Sequence, residues 1–147
     1  MEFVDFSIAK KLKEKGFREE CLAYYTTEYT LYNNVIALTD DKYLCVIDID
    51  YEEFLASHNS IKYTNGNYVD APTISQALDW LWAEKQIYIL VEPFPSMATK
   101  DKVCWSWSFK RNSDGVNIDH TFPDDFTYLT SKEAALVGIE YTLNNLI

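Results

Sequence analysis

The stretch VCWSWSFKRNSDGVNIDHTF, residues 103–122, decides the fold. In it Val103, Trp105, Trp107 and Phe109 alternate with Cys104, Ser106, Ser108 and Lys110. Side chains on a strand point to opposite faces in turn, so this is a half-buried strand with one very bulky face. Asp114-Gly115 then turns the chain into a partner strand near Val116–Phe122, because both residue types tolerate positive φ. Upstream, Ile87–Phe94 reads as a further strand stopped by Pro93 and Pro95. Strands joined by tight turns pair antiparallel, which separates this chain from a strictly alternating strand–helix fold.

Helical signals lie on either side of that block. Thr73-Ile74-Ser75-Gln76 has the spacing of a capping box, and Ile74, Ala77, Leu78, Leu81 and Trp82 then recur at helical spacing. Trp80 falls off that stripe and is expected to be partly exposed. A last helix starts at Thr130-Ser131-Lys132-Glu133, with Ala135, Leu136, Ile139, Leu143 and Leu146 as its buried stripe. Near the start, Asp5 or Ser7 caps a helix over Ser7–Lys15 that ends at Gly16. Cys21–Tyr32 is rich in Tyr and Thr, which favours strand, although Leu22, Tyr25, Tyr29 and Tyr32 also fit helical spacing. Lys42–Asp50 alternates as a strand, and Asn65-Gly66 reads as a hairpin turn. The sum predicts a single α+β domain over residues 1–147, a mainly antiparallel sheet with about three helices packed on one face.

Composition narrows the function. With 147 residues and 48% hydrophobic side chains the chain can fill a core, so a disordered protein is excluded. Thirteen Lys+Arg against 23 Asp+Glu leave a formal charge of −10, opposite to the footprint of a nucleic-acid binder or of a protein that attaches to anionic lipid. That charge is uneven: Asp40–Glu53 carries six acids and one Lys, whereas Met1–Arg18 has five bases and three acids. No basic segment leads into an apolar run, and no aliphatic cluster approaches the roughly 20 residues of a membrane span, so a cytoplasmic protein is expected. Cys21, Cys45 and Cys104 are odd in number and far apart, which predicts buried reduced thiols rather than a disulfide framework or zinc site.

Catalytic constellations are sparse. Four scattered glycines form neither a phosphate-cradling loop nor a nucleophile elbow. His58 and His120 each sit in a polar, loop-like or strand-edge context with no nucleophile marked beside them. Asp48, Asp50 and Glu52 follow at period two and could present three hard oxygen ligands to Mg²⁺ or Ca²⁺. Their spacing departs from an EF-hand loop, and a solvated strand end is the ordinary reading. No cofactor is implied. Aromatic side chains make up 16% of the chain, and core packing accounts for most of them. Trp80, together with Tyr24 or Tyr25 and Tyr88, forms a candidate interaction surface, since aromatics are enriched where proteins bind.

Several segments taken together carry a resemblance: AKKLKEKGF (9–17), AYY (23–25), APTISQALDWL (71–81), EAA (133–135), GIEY (138–141) and LNNLI (143–147). They resemble an uncharacterised family of small proteins common in gut Bacteroidales genomes and their phages or mobile elements. Residues 33–65 fall outside the resemblance and read as an insertion relative to shorter members. The resemblance implies a bacterial or phage cytosolic setting and no cofactor, and it carries no catalytic or binding residue with it. The leading functional expectation is a small non-enzymatic accessory protein that contacts another protein, or a second copy of itself as a homodimer. Two alternatives stand beside it. One is an acidic mimic of nucleic acid that inhibits a DNA-processing or defence enzyme. The other is a metal-dependent hydrolase or nuclease built on Asp48, Asp50 and Glu52.

Overall fold

Asp5 starts the first helix as its residue type predicts. Its carboxylate accepts the Ile8 amide at 2.9 Å, and helix α1 follows over Phe6–Glu14. At the far end Gly16 adopts φ +101°, a conformation that strains any residue with a Cβ. The Gly16 amide donates to the Lys13 carbonyl at 3.2 Å and the Phe17 amide to that of Leu12 at 2.9 Å, the paired bonds of a Schellman stop. These contacts are seen in a computed structural model, which describes residues 2–27, 34–39, 42–46, 68–95, 103–113, 116–121 and 128–147. The architecture is α+β, and every strand ladder among the described residues is antiparallel. The strands form two sheets rather than one, and the chain contacts group into two units that divide between Thr73 and Ile74.

The first unit holds α1 and strands β1 (Ala23–Thr26), β2 (Asn34–Thr39), β3 (Lys42–Val46) and β4 (Tyr68–Asp70), in the sheet order β2-β3-β1-β4. The ambiguous Tyr/Thr segment is thus a strand, and all four residues of β1 are buried. An interior strand with both faces covered shows no alternation, which is why the sequence left helix and strand competing there. The β3 strand takes up the first part of the predicted Lys42–Asp50; residues 47–50 and the Asn65-Gly66 turn lie outside the described residues. Tyr25 stands opposite Leu44 on β3 and Val69 on β4. Period two therefore places Tyr25, Leu44, Val69 and Lys42 on one face, and Tyr24, Thr26, Cys45 and Tyr68 on the other. Helix α1 covers the first of these. The Phe6 ring meets Tyr25 edge-on with centroids 5.6 Å apart, and the buried Tyr25 hydroxyl donates to the Val4 carbonyl at 2.7 Å.

In the second unit, helix α2 (Ile74–Lys85) leads into strands β5 (Ile87–Pro95), β6 (Val103–Ser113) and β7 (Val116–Thr121), and helix α3 (Ser131–Asn145) follows. The sheet order is β5-β6-β7, with Ser113 paired to Val116 as a two-residue connection requires; Asp114 and Gly115 themselves lie outside the described residues. Strand β5 does not stop at Pro93 but continues to Pro95. The register gives the reason. Trp105, opposite Pro93, exchanges both of its backbone bonds with Tyr128, at 2.8 and 2.9 Å. Its polar groups therefore point away from β5, and Pro93 occupies a pair that asks for no amide. Pro95, two residues on, has the same phase, so no amide is asked for there either.

Trp107 and Phe109 are buried, as the bulky-face reading predicts, while Trp105 is half-buried and Val103 is exposed. Helix α3 lies over this face, with Tyr141 packed at 5.4 Å from the Trp107 ring and 6.0 Å from that of Phe109. Thr130 caps α3 by accepting the Glu133 amide at 3.1 Å, and Glu133 returns a bond to the Leu129 amide at 3.0 Å. The buried stripe of α3 includes Gly138 and Thr142, whose hydroxyl donates to the Gly138 carbonyl at 2.9 Å and is thereby satisfied in the interior. All three cysteines are buried and unbridged.

Candidate functional site

The candidate aromatic surface divides on inspection of burial. Tyr24, Tyr25 and Trp80 are interior residues, only 4%, 1% and 4% exposed, and cannot form a contact surface. Tyr24 packs on Tyr68 with ring centroids 5.1 Å apart, in a cluster with Cys45. Burial raises the pKa of the Tyr24 phenol and of the Cys45 thiol, so both stay neutral across the physiological range. Tyr25 is fixed by Phe6 and Val4 as described above. Of the four residues only Tyr88 is open to solvent, at 46%.

Trp80 and Trp82 exchange the places that the periodicity assigns them. On α2 the buried residues are Ile74, Ala77, Trp80 and Leu81, while Trp82 is 48% exposed. At about 100° per residue the buried arc is centred near Ala77 and Leu81 and extends toward Trp80, not toward Leu78 and Trp82. Both arcs share Ile74, Ala77 and Leu81, so apolar spacing alone could not choose between the flanking tryptophans. Lys85 Nζ lies 5.1 Å from the Trp80 ring centroid, close enough for a cation–π contact.

Among the described residues of the second unit, Trp82 and Tyr88 make an exposed aromatic pair. They meet edge-to-face with centroids 6.0 Å apart, at the junction where α2 passes into β5. Gln86 turns the chain there at φ 56°, and its side-chain amide donates to the carbonyls of Trp82 and Ala83, each at 3.2 Å. This left-handed turn closes the helix and sets the two rings side by side. A recess of about 240 Å³ opens beside them, lined also by Ser75, Leu78, Asp79 and Ile89. Its walls combine the two rings with the Asp79 carboxylate and the hydroxyls of Ser75 and Tyr88.

A second concavity lies in the first unit, with a volume of about 520 Å³. Phe6, Lys10, Lys13 and Glu14 supply one wall from successive turns of α1, and Arg18 follows the helix. Thr27, Lys42 and Val69 complete it from the sheet. Arg18 is held by two bonds from its Nη1, to the carbonyls of Lys13 at 2.8 Å and Phe17 at 2.6 Å. Lys42 Nζ stands 5.5 Å from the Phe6 ring centroid, and Lys13 Nζ donates to the Tyr68 carbonyl at 3.3 Å. Among the described residues the lining holds four cations and one carboxylate, a local +3 in a chain of −10.

Asp48, Asp50, Glu52 and His58 lie outside the described residues, as do all the other acids of Asp40–Glu53. His120 pairs with Phe109 in the β6–β7 ladder. Among the described residues no three His, Cys, Asp or Glu side chains are grouped to hold a metal, and no helix is long and apolar enough to cross a membrane. No known protein family, curated protein or solved structure matches this chain.

Proposed function

We propose that this protein is a non-enzymatic interaction module that docks on another protein through Trp82 and Tyr88. The exposed edge-to-face pair carries the reading. Two large rings, each about half open to water, rigidly set by a helix stop and bordering a recess, offer contact area at little cost in side-chain entropy. Docking of this kind is driven by aromatic burial and so depends weakly on ionic strength. A bacterial or phage cytosolic setting goes with the resemblance described above. The alternative of an acidic nucleic-acid mimic predicts the opposite salt response, since charge-driven association weakens steeply as salt rises.

Affinity purification from the native host tests the reading, with the wild-type chain compared against Trp82→Ser/Tyr88→Ser. A polypeptide recovered by wild type at both about 0.1 and 0.5 M salt, and depleted at least tenfold with the double variant, is the expected result. Equal recovery by both chains would remove the aromatic pair from the interface. Recovery lost at the higher salt would favour the mimic.

A further inference from the structure

We propose that the basic cleft of the first unit binds a small phosphate-bearing molecule with two or more negative charges. This goes beyond the docking role, which belongs to different residues. Helix electrostatics explains part of the cleft and not the whole. Lys13 and Arg18 lie at or just past the C-terminal end of α1, where cations offset the partial negative charge of the helix, and Arg18 binds the Lys13 and Phe17 carbonyls directly. Lys42 has no such reason to be there. It comes from β3 and sits within the most acidic segment of the sequence, yet strand register places it on the face that α1 covers. Lys10 approaches from the middle of the helix, on the same side as Phe6 and Glu14. Gathering like charges works against folding, so a +3 recess inside a chain of −10 points to a counter-charge supplied from outside.

The size and lining define the class of ligand. A volume of about 520 Å³ falls in the range of small-molecule sites, roughly 300–1,000 Å³, and far exceeds what one inorganic ion fills. Lysine ammonium groups are point charges with three rotatable donors and suit tetrahedral oxyanions; the anchored guanidinium adds planar donors at the rim. A diphosphate places two or three negative charges within one compact group and so matches the local charge. Long nucleic acid is disfavoured, because beyond a Debye length of about 8 Å a polymer would meet the negative remainder of the surface.

The test is thermal unfolding and calorimetric titration of the full chain with pyrophosphate, ADP, adenosine, citrate and a 20-nucleotide oligo(dT). Pyrophosphate at 5 mM is expected to raise Tm by about 3–5 °C, with binding that weakens as salt rises. Lys10→Glu/Lys42→Glu, if its circular dichroism is unchanged, is expected to lose at least tenfold in affinity. Lys10→Ala, on the exposed side of α1, provides the same comparison should the double reversal fail to fold. Equal affinity for pyrophosphate and ADP assigns the site to the free diphosphate, and tighter ADP binding assigns it to a phosphate ester. The proposal is overturned by any of four results: no shift with pyrophosphate or ADP, an undiminished shift in both variants, citrate as effective as pyrophosphate, or tighter binding of oligo(dT).

Discussion

Gly138→Val is expected to destabilise the second unit by about 3 kcal/mol, at the upper end of the usual cost of overpacking a close-fitting core. A Cβ built on Gly138 would stand 2.9 Å from Ile89 Cγ2 and 3.2 Å from Trp107 Cε3. The first is a branch methyl and the second part of a rigid ring, and Ile89 and Trp107 are themselves buried, so neither has room to yield. Glycine inside a helix ordinarily costs about 1 kcal/mol relative to alanine, which makes its presence here a matter of space. Gly138→Ala regains that propensity while meeting the same methyl, leaving a net loss of about 1 kcal/mol. Valine adds two further carbons at this contact of α3 with Ile89 of β5 and Trp107 of β6. Urea unfolding reads the loss as a lower midpoint at unchanged slope, and the emission of Trp107 should shift with it. A valine variant as stable as wild type would mean that α3 does not approach the sheet this closely.

Tyr25→Ala is expected to cost the first unit about 4 kcal/mol, in the range for truncating a fully buried aromatic. Three contributions are lost together. The ring is 1% exposed, it makes the T-shaped contact with Phe6, and its hydroxyl donates to the Val4 carbonyl. Tyr25→Phe isolates the last of these and is expected to cost about 1–1.5 kcal/mol, since the ring stays and one buried acceptor loses its donor. Urea titration of the pair of variants separates packing from hydrogen bonding. A phenylalanine variant as costly as alanine would show that the hydroxyl, rather than the ring, holds the N-terminal segment to β1.

Both residues belong to the part of the structure that sequence reading reached unevenly. The helix ends were legible, because Asp5, Gly16 and the Thr130–Glu133 box act through local chemistry that their neighbours cannot override. The bulky face of β6 was legible for a similar reason, since Ser and Lys on the alternate positions suit water. What stayed hidden depends on contacts distant in sequence. The interior place of β1, which buries Tyr24 and Tyr25, is set by pairing with β3 and β4. The rotation of α2 that exposes Trp82 and buries Trp80 is set by what packs beneath it. Lys42 reads as a lone base among acids until the β1–β3 register is known. Gly138 and Thr142 carry no hydrophobic signal, although Thr142 Oγ1 and the Gly138 carbonyl explain how both enter the interior.

The site follows the same division. Tyr88 is open to solvent beside Trp82, whereas Trp80, which the sequence groups with it, is buried. The basic cleft had one visible trace, the excess of bases in Met1–Arg18. Its convergence with Thr27, Lys42 and Val69 is a product of the fold.

Photo-crosslinking in the native host tests the docking role most directly. Benzoylphenylalanine replaces Tyr88 in one chain and Leu22, an exposed residue of the first unit at 53%, in another. Docking through the aromatic pair predicts a discrete crosslinked partner from position 88 that is absent from position 22 and fades when Trp82→Ser is added. The same products from both positions, or none from position 88, would contradict it.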